Sequence, residues 1–214
     1  MGVTIWAIVV AGGEGRRFGR AKQFSMLGER SVIEWALDSA RTVATGVVAV
    51  LPESMLSDPE LKVTADRVVA GGSTRSASVR AGLAAVPTDA EVVVVHDAAR
   101  PLASPALFRA VVDAVVAGAD GAIPGIPMPD TVKRVHDGLV TATLDRGDLV
   151  AVQTPQAFRA GALRRAHEGE PEATDDAGLI EALGLSVAVV PGEEHNLKIT
   201  TPEDLVAAEH WMDR

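Results

Sequence analysis

The stretch Ile5-Trp6-Ala7-Ile8-Val9-Val10-Ala11 runs directly into Gly12-Gly13-Glu14-Gly15-Arg16-Arg17-Phe18-Gly19-Arg20-Ala21-Lys22. A short apolar segment that is rich in isoleucine and valine and ends at glycine is typical of a buried strand in a parallel sheet. The loop after it combines glycines, which let the backbone approach a ligand closely, with four cations between Arg16 and Lys22. Backbone N–H groups and clustered cations after a first strand favour binding of a polyphosphate.

The glycine spacing separates this loop from two common nucleotide-binding motifs. Gly13, Gly15 and Gly19 form Gly-x-Gly-x-x-x-Gly, whereas the dinucleotide fingerprint is Gly-x-Gly-x-x-Gly with an acidic residue about 20 positions further on. That acidic residue is missing at the end of the second predicted strand, and no Gly-x-x-x-x-Gly-Lys-Ser/Thr string occurs in the chain. A solvated basic turn without a ligand is the alternative interpretation of the loop.

Composition narrows the class of protein. The 214 residues suffice for one well-buried α/β domain and are marginal for two. The net charge of −9 disfavours nucleic-acid and membrane partners, so the basic loop predicts a small anionic ligand. Cysteine is absent, which excludes disulfides and cysteine-ligated metals. No basic leader opens the sequence and no apolar segment is long enough to span a membrane, so we expect a cytoplasmic protein.

Apolar, β-branched segments alternate with helical segments along the chain. The predicted strands cover residues 5–11, 46–51, 67–70, 91–96, 121–126 and 186–190. The predicted helices cover residues 32–44, 74–86, 105–117 and 175–183, the last capped by Thr174, and a final helix begins at Thr201-Pro202-Glu203-Asp204. This alternation predicts a mostly parallel α/β sheet covered by helices on both faces, with the ligand beyond the carboxyl ends of the strands. No linker divides the chain, so residues 1–214 are expected to form a single domain.

One segment breaks this alternation and predicts a projecting arm. Residues 131–143 alternate as a strand, turn at Asp137-Gly138 and alternate again, which is typical of a β-hairpin. An isolated hairpin is only marginally stable in water. Its apolar side chains are therefore expected to pack against the same element of a second chain: Val132, Val135, Leu139 and Val140. The alternative is a hairpin folded back on its own domain.

The segment His96-Asp97-Ala98-Ala99-Arg100-Pro101 follows a buried valine strand. A carboxylate at the carboxyl end of a strand, facing a polyphosphate loop, is a suitable ligand for Mg²⁺, which prefers oxygen and takes one or two carboxylates together with phosphates. The alternative is that Asp97 caps the next turn and pairs with Arg100. His96 is interpreted as a half-buried, hydrogen-bonded histidine rather than a metal ligand.

Two further segments have a local polarity that needs an explanation. Gly71-Gly72-Ser73-Thr74-Arg75-Ser76-Ala77-Ser78-Val79 offers glycines and hydroxyls that can contact a base, although Ser73 or Thr74 can equally be an ordinary helix cap. Near the chain's end, Lys198 lies between Leu197 and Ile199 in a predicted apolar strand. A lysine there needs an anionic partner or a route to solvent, and a ligand phosphate would supply the partner.

Taken together, these segments resemble the 2-C-methyl-D-erythritol 4-phosphate cytidylyltransferases. Eight segments occur in the order found in that family: Ala11-Gly12-Gly13-x-Gly15-x-Arg17 with Lys22-Gln23, then residues 71–79, 96–101, 130–134, 145–146, 153–156, 174–176 and 196–204. The resemblance covers essentially the whole chain. It implies a three-layer α/β/α nucleotide-diphospho-sugar transferase-like fold, a homodimer built by the arms, and the reaction of CTP with a polyol phosphate to give a CDP-polyol and pyrophosphate.

The resemblance also assigns roles to individual residues. Arg17 and Lys22 would hold the triphosphate, Lys198 would bridge towards the α-phosphate, and Asp97 would bind Mg²⁺. The residues that would contact CTP are Ala11, Gly12, Gly13, Gly15, Gly72, Ser73, Ser78 and Ala98. The residues that would bind the acceptor are Arg100, Thr131, Arg146, Thr154 and Thr174, with Thr131 and Arg146 reaching the site of the neighbouring subunit.

Two departures from the family pattern bear on the acceptor. Ala21 stands where the family usually has proline, and Gly12 replaces the second alanine of the usual Ala-Ala-Gly. Ribitol 5-phosphate cytidylyltransferases share most of the scaffold and often begin with Ala-Gly-Gly, so ribitol 5-phosphate is the alternative acceptor. His96-Asp97-Ala98-Ala99-Arg100 favours the methylerythritol enzyme. A non-catalytic nucleotide-binding protein of the same fold is a second alternative, which the retained Arg17, Lys22, Asp97 and Lys198 disfavour.

Overall fold

A computed structural model describes residues 2–12, 22–58 and 63–212. Within these residues the strands are β1 Ile5–Val10, β2 Met26–Leu27, β3 Arg30–Ser31, β4 Gly46–Leu51, β5 Arg67–Ala70, β6 Val92–Asp97, β7 Gly121–Pro127, β8 Lys133–His136, β9 Leu139–Thr143, β10 Val150–Val152, β11 Gln156–Arg159 and β12 Val187–Pro191. The α-helices are α1 Val32–Arg41, α2 Arg75–Ala85, α3 Pro105–Val116, α4 Ala160–Ala166, α5 Asp176–Ala182 and α6 Pro202–Met212. None of these helices is long and apolar enough to cross a lipid bilayer.

Eight of the strands form one mostly parallel sheet. Its order is β10-β7-β11-β6-β1-β4-β5, with β12 paired to the other edge of β7. The pairs β1–β4, β1–β6, β4–β5 and β7–β12 are parallel, whereas β10 and β11 run antiparallel to their neighbours. The carboxyl ends of β1, β4, β5 and β6 therefore meet at one edge of the sheet.

Alternate residues of the central strands pack against helices on opposite faces. Ala7 and Val9 of β1 lie in a buried cluster with α1 and α3. Ile8 of the same strand lies in a second cluster with α2, α4 and α5. Because successive side chains of a strand point to opposite faces, burial of all three residues means that both faces are covered. This confirms the predicted three-layer α/β/α class. A smaller cluster packs α6 against Leu27, Val32 and Ile199.

The predicted elements are confirmed with shifts of a few residues, but three interpretations are wrong. Asp175, not Thr174, caps α5, since its carboxylate accepts the Gly178 N–H at 3.1 Å. Residues 196–200 form an irregular segment rather than a strand. His96 is fully buried rather than half-buried. The antiparallel strands β10 and β11 and the short helix α4 were not predicted.

The predicted hairpin is present. Strands β8 and β9 pair antiparallel around Asp137 and Gly138, both of which have positive φ, at 50° and 78°. A two-residue turn of this kind matches the twist of the flanking strands. Three apolar side chains of the hairpin are largely exposed in the single chain, with relative exposures of 56% for Val135, 72% for Leu139 and 61% for Val140. The alternative, in which the hairpin packs its apolar residues on its own domain, is not the observed arrangement.

Candidate functional site

The loops after β1, β5 and β6 converge because their strands are neighbours. The Ala11 N–H donates to the Val50 carbonyl at 2.8 Å, and the Gly71 N–H donates to the Leu51 carbonyl at 2.7 Å. The Ala98 N–H donates to the Val10 carbonyl at 3.0 Å. These backbone bonds extend the sheet by one step and hold the three loops side by side at its carboxyl edge.

Two glycine loops lie close enough together to leave no room for side chains. A β-carbon on Gly12 would lie 2.8 Å from Ser78 Oγ, and one on Gly71 would lie 3.4 Å from the Gly12 Cα. The Ser78 hydroxyl donates to the Thr74 carbonyl at 2.9 Å. Thr74 caps α2 through its side chain, which accepts the Ala77 N–H at 3.0 Å. The arrangement exposes backbone atoms at the start of a helix, where anionic or polar ligands are favoured.

Asp97, the last residue of β6, is the charged centre of the neighbouring cavity. Lys198 Nζ lies 2.6 Å from one carboxylate oxygen of Asp97, and Arg75 Nε lies 3.2 Å from the other. Burial would raise the pKa of Asp97, but the Arg75 and Lys198 cations outweigh it and hold this pKa well below its usual range. The carboxylate is therefore ionised throughout the physiological pH range. Arg100, the alternative partner, instead donates to the Asn196 carbonyl at 2.7 Å.

A cavity of about 310 Å³ opens beside Asp97. Its described lining includes five of the residues that sequence analysis assigned to the site: Asp97, Arg100, Thr154, Thr174 and Lys198. It also includes Arg75, Val152, Gln153, Gln156 and Asp175, to which the sequence analysis gave no role. Residues from five distant parts of the chain thus meet in one polar concavity, which is the usual form of a small-molecule site.

His96 supports this cavity from behind. Its Nε2 lies 3.1 Å from the Arg100 carbonyl and its Nδ1 lies 3.2 Å from Thr154 Oγ1. Since a carbonyl only accepts, Nε2 carries the proton and Nδ1 accepts from the threonine hydroxyl. The Thr154 oxygen in turn accepts the Asp97 N–H at 3.0 Å. Burial lowers the pKa of His96 to about 4, against the pull of Asp97, so the ring is neutral and structural.

Several other predicted residues lie elsewhere or outside the described residues. Thr131 and Arg146 lie exposed at the base of the hairpin, where Arg146 donates to the Pro129 carbonyl, and neither lines the described part of the cavity. Ser73 is exposed in the loop before α2, and Ala98 is buried behind the edge. Gly13, Gly15 and Arg17, and the side chain of Lys22, lie outside the described residues.

Arg75 is the main residue that sequence analysis missed. It is the first residue of α2, where the helix macrodipole disfavours a cation. Burial would lower the pKa of Arg75, but Asp97 and Asp176 outweigh burial and raise it. The available signal in the sequence was a cation in the first turn of a helix, which requires nearby acidic partners. Those partners lie 22 and 101 residues away, so the sequence alone did not identify them.

A pre-formed metal site made only of protein groups is not present in the described part of the chain. No group of three or more histidine, cysteine, aspartate or glutamate side chains there is placed to hold a metal ion. Asp97 and Asp175 are the two carboxylates in the described lining of the cavity. Any cation bound there would need the rest of its ligands from a bound molecule or water.

Comparison with known proteins shows which family the chain resembles in sequence and structure. Residues 5–214 match the family model described as 2-C-methyl-D-erythritol 4-phosphate cytidylyltransferase. The protein of that name from Rubrobacter xylanophilus is 44% identical over 214 residues, which cover 95% of this chain and 92% of the relative. The crystal structure of 4-diphosphocytidyl-2C-methyl-D-erythritol synthase from Anaerococcus prevotii superposes with a TM-score of 0.86 at 32% identity and covers 100% of both chains.

Other curated relatives are longer. The bifunctional enzyme IspD/IspF of Nitratidesulfovibrio vulgaris is 45% identical over 224 residues, which cover 94% of this chain but 56% of the relative. The chain thus spans about half the length of that relative. The sheet, its carboxyl-edge cavity and these relatives define an α/β nucleotidyltransferase-like protein. The chain belongs to the 2-C-methyl-D-erythritol 4-phosphate cytidylyltransferase family.

Proposed function

We propose that this chain transfers the cytidylyl group of CTP to 2-C-methyl-D-erythritol 4-phosphate, giving CDP-methylerythritol and pyrophosphate for non-mevalonate isoprenoid synthesis. The observation that carries the proposal is the Asp97–Lys198 pair, 2.6 Å apart, at the wall of a polar cavity beside the Gly12–Gly71 loops. Family membership supports the choice of substrates. We propose that residues 1–214 act as one catalytic domain, and the cysteine-free composition suits the cytoplasm.

The chemistry fits a site built from cations rather than from a general base. The acceptor phosphate is already anionic near neutral pH because the second pKa of a phosphate monoester is about 6. One of its oxygens attacks the α-phosphorus of CTP, a new P–O bond forms, and the bond to the bridging oxygen breaks so that pyrophosphate leaves with the electron pair. The barrier arises from bringing two anions together, so positioning and electrostatic stabilisation supply the rate enhancement.

Lys198 is proposed to exchange partners when CTP binds. Its side chain is 43% exposed and contacts Asp97 through the end of a flexible stem. A phosphate oxygen offers a more highly charged partner within reach of the same ammonium group. Arg17 and Lys22 are proposed to hold the triphosphate. The cytidine would lie against Gly12, Gly72 and Ser78, with Ala11, Gly13, Gly15, Ser73 and Ala98 around it.

The residues present fit a divalent cation bound jointly with the nucleotide. Asp97 and Lys198 both line the cavity, and Lys198 Nζ lies 2.6 Å from one oxygen of the Asp97 carboxylate. We therefore propose that Asp97 holds Mg²⁺ together with phosphate oxygens of CTP, as Mg²⁺ commonly requires. When bound, the ion would neutralise negative charge on the triphosphate.

The arm is proposed to complete the acceptor site of a second subunit. The exposed Val135, Leu139 and Val140 give it an apolar surface that the single chain leaves in solvent. A twofold pairing of two arms would bury that surface. Thr131 and Arg146, at the arm's base, would then contact the acceptor phosphate in the partner's cavity, opposite Arg100, Thr154 and Thr174.

The test is pyrophosphate release by the purified protein with CTP, Mg²⁺ and one acceptor at a time. We expect turnover with 2-C-methyl-D-erythritol 4-phosphate and at least about 100-fold lower kcat/KM with ribitol 5-phosphate. A reversed preference would assign the ribitol reaction. CTP binding without turnover of either acceptor would favour the non-catalytic alternative, and replacement of CTP by ATP, UTP or GTP tests the choice of base.

A further inference from the structure

Arg75 connects two buried carboxylates that belong to different parts of the site. Its Nε lies 3.2 Å from Asp97 at the end of β6, and its Nη1 lies 2.8 Å from Asp176 at the start of α5. Asp176 is also held by His167 Nε2 at 3.0 Å, at the end of α4. Asp97 and Asp176 are both buried. One guanidinium therefore fixes the relative position of the sheet edge and of two helices on one face of the sheet.

The segment just before α5 is docked on the same helix that carries Arg75. Thr74 donates its hydroxyl to Glu172 at 2.8 Å. Ser76 Oγ accepts the Ala173 N–H at 3.2 Å. Arg80 donates to the Pro171 carbonyl at 2.9 Å and pairs with Glu172 at 3.1 Å. These bonds hold residues 171–176, which include the cavity residue Thr174, against the first turns of α2.

The start of α2 thus lies close to two groups of residues that are proposed to bind different substrates. The loop before α2 carries Gly72 and the helix carries Ser78, which are proposed to contact the nucleotide. The docked segment carries Thr174, which is proposed to contact the acceptor. Arg75 lies between them and contacts Asp97 directly, so the nucleotide loop, the charged centre and the acceptor segment are joined through one side chain.

A purely stabilising ion pair explains this arrangement poorly. Buried ion pairs contribute little to stability, because desolvation of the charges opposes their attraction. Arg75 is also placed at a helix start, where the macrodipole is unfavourable. Its Nη2 is buried without a hydrogen-bond partner among the described residues. An unsatisfied buried donor of this kind is costly and calls for an explanation beyond packing.

We propose, on the basis of the proposed cytidylyl transfer, that Arg75 is a positioning residue that aims the Asp97 carboxylate into the cavity and keeps the Thr174 segment in register with it. Arg75 holds one Asp97 oxygen and Lys198 contacts the other, and all three residues line the cavity. Its second bond, to Asp176, prevents α5 and the acceptor segment from moving independently of that carboxylate. A lysine at the same position keeps the charge but lacks the planar fork that joins two carboxylates in fixed directions.

Arg75→Lys is the test variant, and Arg80→Lys is its matched control. Arg80 lies on the same helix and holds the same segment through its guanidinium, but its bonds are to Pro171 and Glu172, away from Asp97. For both variants, kcat and the KM of each substrate are measured by pyrophosphate release. CTP affinity is measured separately by calorimetric titration, and thermal unfolding is followed by circular dichroism.

We expect Arg75→Lys to lower kcat by about 10- to 100-fold, in line with a misplacement of about 1 Å at a reacting centre. Its KM for the acceptor should rise while its CTP affinity stays within about twofold, a split that a loss of folding would not produce. Arg80→Lys should retain kcat within about threefold. Equal kcat values in Arg75→Lys and wild type would overturn the proposal, as would equal losses in the two variants.

A second variant is needed if Arg75→Lys shows no cooperative unfolding transition and is therefore not folded. Asp176→Asn preserves shape and removes the charge that holds the far end of Arg75. It should also lower kcat by about tenfold with CTP affinity retained. Unchanged kcat in a folded Asp176→Asn protein contradicts the proposal. Wild-type protein that releases no pyrophosphate would instead contradict the proposed function itself, so the two failures are distinguishable.

Discussion

The carboxyl edge of the sheet buries charged groups, whereas the hairpin arm exposes apolar ones. At the edge, the buried carboxylates of Asp97 and Asp176 are both paired with the part-buried Arg75 within one chain. On the arm, the apolar groups Val135, Leu139 and Val140 lie in solvent and the chain supplies no cover for them. Buried charge needs an internal partner, whereas exposed apolar surface on a marginal element needs an external one. The edge is thus pre-organised within one chain, while the arm is proposed to pack against a second chain.

The largest expected effect is the loss of turnover when the negative charge of Asp97 is removed. Asp97→Asn preserves the shape of the side chain but removes the charge that Arg75 and Lys198 neutralise and that is proposed to attract Mg²⁺. We expect kcat to fall by about 10³-fold or more, with at most partial recovery at high Mg²⁺. Asp38→Asn, which alters an exposed pair with Arg30, is the control. Normal turnover and normal Mg²⁺ dependence in Asp97→Asn would leave Asp97 with a structural role alone.

The next effect concerns Lys22, one of the two cations proposed to hold the triphosphate. Lys22→Ala should lower kcat by about 10²- to 10³-fold, because charge develops at the α-phosphate as the new bond forms. Its KM for CTP should change less than its kcat. The measurement is steady-state pyrophosphate release at saturating acceptor. A variant with wild-type kcat and only a raised KM for CTP would show that Lys22 acts on binding rather than on the transition state.

The arm should respond to a charge as an interface does. Leu139→Asp places a carboxylate on the most exposed apolar residue of the hairpin, and twofold symmetry brings two such charges together. We expect the dimer dissociation constant to rise by about 100-fold or more in sedimentation equilibrium. Val206→Asp is the matched control, because Val206 is 67% exposed on α6, away from the arm. A wild-type protein that is monomeric at micromolar concentration would remove the basis for a shared site.

The smallest expected effect concerns acid stability of the edge. The pKa of His96 is lowered by burial to about 4, so the unfolded chain binds a proton more readily than the folded chain. The stability that neutral His96 contributes is therefore complete above the unfolded-state pKa of about 6.5 and is lost as the pH falls towards 4. The depressed pKa of Asp97 acts in the same direction at lower pH. Between pH values of about 6.5 and 4, we expect His96 to lower the free energy of unfolding by about 3 kcal/mol.

Denaturant unfolding at several pH values, for wild type and His96→Gln, provides the measurement. Glutamine keeps polar atoms at the position but does not titrate, so its stability should depend less on pH between about 6.5 and 4. Equal pH slopes for the two proteins would mean that His96 is not the group responsible.

The sequence was sufficient for the elements whose signal is local. The valine-rich β4 and β6, the Asp137-Gly138 turn and the proline-led starts of α3 and α6 were predicted from patterns within a few residues. Strands β10 and β11 were not, because Val150–Val152 is short and β11 inserts antiparallel between two parallel neighbours. The apolar pattern around Lys198 suggested a strand, but Leu197 and Ile199 pack against α6 in an irregular segment.

For the candidate site, too, contacts between distant parts of the chain could not be predicted from the sequence. Asp97, Arg100, Thr154, Thr174 and Lys198 were proposed from ordered motifs, and the fold brings them to one cavity. Lys198 was expected to need an anionic partner or a route to solvent, and the observed anionic partner is Asp97, 101 residues earlier in the chain. Arg75 was quoted within a motif without a role, because its significance depends on two carboxylates that only the tertiary structure brings close. Pairings between distant charges are set by the packing of whole elements and leave no periodic trace in the sequence.

The most direct test of the account is complementation between the edge and the arm. Asp97→Asn disables the edge of its own chain, and Arg146→Ala disables the arm that is proposed to serve the other chain. Each variant alone should be nearly inactive. Mixed at equal amounts under conditions where subunits exchange, they should regain about one quarter of wild-type turnover, since half of the dimers are mixed and each mixed dimer has one intact site. No recovery at any ratio, with exchange demonstrated by differently tagged chains, would contradict a site completed by the partner's arm.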